Sequence, residues 1–160
     1  MTDSEELGRG GRLQGGAAGE LVAAAYSAES AHGPRLAHAL SLADLAHAVA
    51  LVEGGGVAGE DARALVRGLL ELHAIPGADF PWDPAAGDAF NAREAELERR
   101  IGRSAAGWLS AGRPRREAFR VALRLTARRG VRELHDALLA QAAALAGHAR
   151  ATRAALAADY

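Results

Sequence analysis

The longest regular pattern of apolar positions lies in the C-terminal third of the 160-residue chain. Mostly apolar side chains recur there at spacings of three, four and seven residues, which is typical of one face of an α-helix. This stripe consists of Phe119, Leu123, Ala127, Val131, Leu134, Leu138, Leu145, Ala149, Thr152 and Leu156. Proline fits the first turn of a helix but not its interior. The sequence therefore predicts one helix from about Pro114 to about Ala157, roughly 65 Å long at about 1.5 Å per residue.

Four shorter segments before Pro114 also have helical spacing, and they end at glycine or proline, the residues that most often interrupt helices. The predicted helices are residues 21–29, 36–52, 59–75 and 88–100. Asp88 suits the start of the last one, because its carboxylate can accept a hydrogen bond from a free backbone N–H. Between the last two, Phe80 and Trp82 stand among three prolines and predict an ordered loop. No strand-length alternation of apolar and polar residues occurs, so the sequence predicts an all-α fold.

The pattern divides the chain into three predicted parts. Residues 1–19 are rich in glycine and predict a flexible arm. Residues 20–112 form a helical N-terminal domain, and residues 113–160 form the long helix. A domain of about 110 residues is only about 35 Å across, so we expect the rest of the helix to pack in an oligomeric bundle of identical chains. A bend near Gly130 or Gly147, or a frayed tail, are the alternatives.

Composition limits the location and chemistry of the protein. The chain has no cysteine, which excludes disulfides and thiolate chemistry, and its net charge is -1. Its N-terminus is acidic and no apolar run reaches the ~18 residues of a membrane span. We therefore expect a cytoplasmic protein without a membrane segment.

Arginine gives the strongest chemical signal. All 19 basic residues are arginines, and residues 113–132 contain eight of them with one acid, Glu117. Five lie on one helical stripe: Arg116, Arg120, Arg124, Arg128 and Arg132. Like charges at this spacing repel, so the stripe favours an anionic partner. That partner is an acidic helix of the same or a neighbouring subunit, with Glu94, Glu96 and Glu98 as candidates, or solvent, or a small carboxylate bound by Arg113, Arg115 or Arg116. The net charge and the lack of interleaved aromatics argue against nucleic acid.

The six histidines give no recognisable catalytic dyad or metal motif. They are His32, His38, His47, His73, His135 and His148. His32 and His38 are separated by a Gly-Pro break, and no HExxH spacing is present. We expect neither a metal site nor a cofactor.

Four blocks of the sequence resemble argininosuccinate lyases of the fumarase/aspartase superfamily. Residues 101–117, IGRSAAGWLSAGRPRRE, resemble that family's first signature, which is close to IGEDAAGWLHTGRSRND. Residues 87–94, GDAFNARE, resemble its EDLYFNRE stretch. Residues 10–13, GGRL, resemble its WGGRF start, and the AHA sequence around His47 resembles a helix of form S-x-AHA-x-x-L-x-x-x-G. The resemblance implies the N-terminal third of a lyase that forms tetramers through bundled helices, with Arg113 and Arg115 at substrate-binding positions.

The chain departs from the family at positions that the resemblance associates with substrate. Ala111, Pro114 and Arg116 replace the threonine, serine and asparagine of the first signature. Asp44 stands where the family has serine, and Phe90 stands where many members have histidine. The family's second signature with its histidine, and its third with its serine base, would follow Tyr160. We therefore expect that this chain alone is not a competent argininosuccinate lyase.

Three kinds of function remain open from the sequence. The chain could be a truncated lyase-like protein that acts in assembly through its long helix. It could be a repurposed enzyme or binder that holds an acidic small molecule at a subunit interface. It could also be one half of a split lyase, completed by a complementary lyase chain.

Overall fold

The computed structural model describes residues 17–156, which form helices and connecting loops. No strand occurs within that range, which confirms the predicted all-α fold. The predicted arm at residues 1–19 lies outside the described residues except for its last three. The described helices are α1 (Gly19–Leu21), α2 (Ser27–Ser30), α3 (Gly33–Glu53), α4 (Gly59–Ala74), α5 (Ala89–Ile101), α6 (Arg103–Gly107) and α7 (Arg115–Thr152). A π-helical turn, Val22–Tyr26, joins α1 to α2, and 3-10 turns occupy Pro84–Ala86 and Trp108–Ser110.

The helix ends follow from local residue chemistry. Asp88 caps α5 by accepting a hydrogen bond from the backbone N–H of Asn91 at 3.0 Å, as predicted. Gly102 ends α5 with a φ of 82°, a left-handed conformation that glycine adopts without a Cβ clash. Gly112 takes a φ of 65° immediately before α7, so the turn and the helix start fall close to their predicted positions.

The chain divides into two compact units, Met1–Arg124 and Leu125–Tyr160, and the boundary falls within α7. The core of the first unit is an apolar cluster from α3, α4, α5 and the segment around α6. Its buried members are Ala48, Leu65, Leu69, Leu72, Phe80, Leu97, Ala106 and Leu109. Gly68 lets α4 approach α5 closely, because a Cβ at this position would lie only 2.7 Å from Cγ2 of Ile101. This close packing positions α3 and α5 for the polar contacts described below.

The loop after α4 is ordered by its two aromatic residues, as predicted. Phe80 is buried, and its ring centroid lies 4.4 Å from that of Trp82. The indole Nε1 of Trp82 donates a hydrogen bond to the carbonyl of Gly77 at 2.8 Å. The face of the same indole lies against Gly33, where a Cβ would come within 2.5 Å of the ring. The glycine therefore begins α3 at a position where any larger residue would displace the loop.

The first turns of α7 belong to the first unit and are buried in it through small residues. Ala118 and Ala122 are fully buried, whereas Phe119 and Leu123 on the predicted stripe are 39% and 51% exposed. In the second unit every residue from 127 to 156 is exposed. The helix continues without a break through Gly130 and Gly147, and it ends at Thr152, before the predicted end near Ala157. Among the described residues, the large apolar side chains of the predicted stripe are therefore exposed.

Helix α3 bears on the expectation that the chain contains no membrane segment. Within the described residues, Gly33–Glu53 is long and apolar enough to cross a membrane by length and composition, although its apolar run is interrupted by polar residues. Core helices meet the same criteria, and 44% of the relevant window is buried inside the first unit. The buried residues of α3 include Asp44.

Candidate functional site

The central polar feature of the first unit is a buried carboxylate held by two arginines. Asp44 lies on α3, Arg93 on α5, and Arg113 in the turn before α7. Nε and Nη2 of Arg93 both donate to Oδ2 of Asp44 at 3.2 Å, and Nη1 of Arg113 donates to Oδ1 at 2.9 Å. The three side chains are only 1–2% exposed. We call this set the Asp44 network.

Aromatic rings support the excess positive charge of the Asp44 network. The guanidinium carbon of Arg93 lies 5.7 Å from the ring centroid of Phe80, and that of Arg113 lies 6.0 Å from the centroid of Phe90. Such cation–π contacts contribute on the order of 1–2 kcal/mol when they are desolvated. Nε of Arg113 is nevertheless buried without a hydrogen-bond partner among the described residues. Because two cations are buried with one anion, loss of the Asp44 carboxylate would strongly destabilise the fold.

His47 lies one helical turn after Asp44, on the side of the network that faces the α7 turn. Its Nε2 donates a hydrogen bond to the carbonyl of Ala111 at 3.1 Å, which places the ring proton on Nε2 in the neutral form. Burial lowers the pKa of His47 from its ordinary value of 6.5, and the nearby positive charge of Arg113 lowers it further. His47 therefore holds the turn before α7 as a neutral hydrogen-bond donor.

The three arginines predicted to bind a carboxylate do not share one environment. Arg113 is inside the Asp44 network. Arg115 is half exposed at the start of α7, and its Nη1 lies 3.6 Å from Oδ2 of Asp88. Arg116 is exposed in the same first turn. Arg115 and Arg116 are thus exposed together at the N-terminus of α7, whereas Arg113 is buried.

Glu96, one of the three acidic residues of α5 considered from sequence, is paired within its own helix. Glu96 accepts hydrogen bonds from Arg99 and Arg100 of its own helix, at 2.7–2.8 Å. The hydrogen bond from Arg99, followed by that from Arg100, holds the pKa of Glu96 below its ordinary value although burial opposes this. The stripe residues of α7 are exposed. Within one chain, Glu96 is therefore paired with arginines of its own helix rather than with that stripe, and pairing of the stripe with a neighbouring subunit stays a prediction.

Sequence reasoning missed Asp44 and Arg93 as members of a site. A usable signal was present, because Asp44 is the one charged residue between Arg35 and Glu53 on an otherwise apolar helix. A lone carboxylate on the buried face of a helix requires a partner. The identity of that partner is a tertiary property, which no spacing along the chain reveals.

Comparison with known proteins gives one partial similarity. The chain is 32% identical over 90 residues to an argininosuccinate lyase of Methanocaldococcus jannaschii. The match covers 56% of this chain and 19% of that lyase, so the chain spans about a fifth of the relative's length. No family model and no solved structure matches the chain. The chain is thus similar to part of an argininosuccinate lyase, in agreement with the sequence blocks described above.

Proposed function

We propose that this chain is an argininosuccinate lyase-like assembly unit, which associates through α7 and does not itself catalyse the elimination of fumarate. The observation that carries the proposal is the contact between Asp44 and Arg113. Arg113 occupies the position that the resemblance assigns to substrate, and here its guanidinium already binds an internal carboxylate at 2.9 Å.

Asp44 already binds and neutralises Arg113, so a substrate carboxylate would compete with it for the same guanidinium. Breaking a buried ion pair costs about 3–5 kcal/mol when one partner is left uncompensated. The side chain of Arg113 is only 2% exposed, so a ligand would also have to open the surrounding packing. This cost favours a structural role for Arg113 over a role in binding.

The rest of the lyase-like turn offers few groups for elimination chemistry. Such a reaction needs a base close to the proton, donors for the developing oxyanion and an acid for the leaving group. Ala111 and Pro114 have no hydrogen-bonding side chain where the resemblance implies threonine and serine. The N–H of His47 is engaged by the carbonyl of Ala111. These features support a turn without catalytic function that leads into α7.

Assembly is supported by the exposed apolar side chains of the second unit. Val131, Leu134, Leu138 and Leu145 are 55–66% exposed along one helix. Monomeric proteins seldom expose a large contiguous apolar surface. A second copy of the chain would cover this stripe with residues of the same kind.

The activity test uses the purified 160-residue chain with argininosuccinate, and it follows fumarate release by absorbance. We expect no release above that of the uncatalysed reaction, while a full-length argininosuccinate lyase under the same conditions gives rapid release. Release that disappears in Arg113→Ala or His47→Gln would contradict the proposal, because the activity would then belong to this chain.

A second candidate function is binding of a small carboxylate at the first turn of α7. Arg115 and Arg116 are exposed there, next to backbone N–H groups that the helix leaves without partners. Asp88 lies at 3.6 Å from Arg115, a loose contact for a charged pair, so another carboxylate could replace it. A thermal-shift screen of succinate, fumarate and argininosuccinate against the purified chain tests this function, and a saturable rise in melting temperature would support it.

A further inference from the structure

A polar cavity lies between α3 and the end of α4, apart from the arginines of the α7 turn. Its volume is about 220 Å³, and its lining includes His38, Ser41, His73, Pro76 and Gly77. Gly77 brings the loop close to α3, since a Cβ at this position would lie 2.5 Å from the carbonyl oxygen of Pro34. A liquid water molecule occupies about 30 Å³, so the cavity has room for an ion and several water ligands.

The two histidines of this cavity come from different helices and lie close together. Their ring centroids are 5.3 Å apart, and the ring planes are inclined by 36°. Nδ1 of His73 is buried and has no hydrogen-bond partner among the described residues. A buried polar atom without a partner costs about 1–3 kcal/mol, so this nitrogen would gain from a ligand.

The ring separation matches that of two imidazoles bound to one metal ion. Zinc–nitrogen bonds are about 2.0–2.1 Å long, and at a tetrahedral angle the centroids of two bound rings would be about 5 Å apart. His73 also lies in the last turn of α4, where the negative end of the helix dipole favours a cation. Ser41 stands one turn after His38 on α3 and lines the same cavity.

We propose that His38 and His73 bind one divalent transition-metal ion of the zinc, nickel or copper class in this cavity. Imidazole nitrogen suits these ions. Within the described residues no group of three or more histidine, cysteine or acidic side chains could hold a metal ion, so the protein supplies two nitrogen ligands here. Water and the Ser41 hydroxyl would fill the remaining positions. The affinity is therefore below that of a four-ligand structural zinc site, and the ion keeps positions open to a further ligand.

The test is calorimetric titration of the purified chain with zinc chloride and, separately, with nickel chloride. We expect saturable binding of one ion per chain. His38→Ala and His73→Gln should each weaken it at least tenfold, whereas His148→Ala, at an exposed position of the second unit, should leave it unchanged. Long-range proton–nitrogen spectra of the imidazoles should show the metal acting on the rings of His38 and His73 alone.

Three outcomes would contradict the proposed metal site. They are equal affinity in the wild type and in His38→Ala, broadening of all six histidine signals together, and no saturable binding of either metal. The last result would mean that the two rings are only stacked on each other. His38 is exposed, so its replacement leaves the core intact and keeps the test valid if His73→Gln fails to fold. Melting temperatures of each variant without metal provide the folding control.

Discussion

Asp44 connects three segments that are far apart in sequence, because its two carboxylate oxygens bind arginines from α5 and from the turn before α7. The Asp44 carboxylate accepts hydrogen bonds from both guanidinium groups, as the carboxylate of a bound ligand would. Replacing a buried ion pair with apolar residues is often neutral, whereas removing one partner alone is strongly destabilising. The contribution of the Asp44 network is therefore best measured by removing the anion alone.

Asp44→Ala should lower the stability of the first unit by about 3–5 kcal/mol, since Arg93 and Arg113 would remain buried without a carboxylate. The corresponding fall in melting temperature is roughly 6–20 °C. Sodium formate should restore part of it in a saturable way, because formate fits the space that the carboxylate leaves. Sodium chloride at equal ionic strength is the control for the variant, and the rise in melting temperature with formate should be larger in Asp44→Ala than in the wild type. A variant that melts with the wild type would show that the network contributes little.

His47 gives the protein a pH dependence whose sign follows from its lowered pKa. Because the folded state disfavours protonation, the unfolded state binds more protons as pH falls from about 6.5 towards the lowered value. The contribution of His47 is therefore fully present above 6.5 and is lost as pH falls through this window. His47→Gln keeps an N–H donor for the Ala111 carbonyl but cannot titrate.

We therefore expect the free energy of unfolding of the wild type to fall between pH 7.5 and pH 5.5, and to fall less in His47→Gln. Urea denaturation at the two pH values measures this difference. His148→Gln, at an exposed position of α7, should behave as the wild type does. Equal pH slopes for the wild type and His47→Gln would assign the pH dependence to other groups.

At the scale of single elements, the first turn of α7 combines two exposed arginines with the free N–H groups of a helix start. Arg115→Ala should weaken any binding of succinate or argininosuccinate at least tenfold. The melting temperature should hardly change, since the half-exposed pair with Asp88 contributes at most about 1 kcal/mol. Arg120→Ala, one turn further along the same helix, is the matched control. Isothermal titration of each variant provides the affinities, and unchanged binding by Arg115→Ala would move the site away from this turn.

The elements that sequence predicted well are those fixed by nearby residues. The cap at Asp88, the stop at Gly102 and the turn at Gly112 depend on contacts within about four residues, so their chemistry is visible in the sequence. The Asp44 network was not predictable in this way. Asp44 and Arg113 are 69 positions apart, and only packing of α3 against the turn brings them together.

Helix α7 shows a second limit of prediction from periodicity. Its existence follows from the apolar repeat, but the face that the first unit covers is that of Ala118 and Ala122 rather than that of Phe119 and Leu123. Alanines permit a close approach of two helices and add little to an apolar pattern. The largest residues therefore indicated the uncovered face, which is the face available to a partner.

At the scale of the whole molecule, the exposed stripe of the second unit predicts self-association. Val131, Leu134, Leu138 and Leu145 are each more than half exposed, and covering each would contribute on the order of 1–2 kcal/mol. Two copies provide eight such side chains, a gross gain of about 8–16 kcal/mol, which is comparable to the roughly 4–15 kcal/mol cost of association. The gross gain is therefore of the size needed to offset the cost of association.

Leu138→Asp should dissociate the oligomer, because it places a charge in the centre of the apolar stripe and would bury it without a partner. Ala140→Asp is the matched control: it adds the same charge two residues away, about 200° around the helix, on a face outside the stripe. Light scattering coupled to size-exclusion chromatography, at tens of micromolar, provides the masses. We expect a dimer or larger assembly for the wild type and Ala140→Asp, and a monomer for Leu138→Asp with unchanged helical content by circular dichroism. A wild-type chain that is monomeric at this concentration would exclude assembly through α7, and it would leave carboxylate binding at Arg115 and Arg116 as the remaining proposed function.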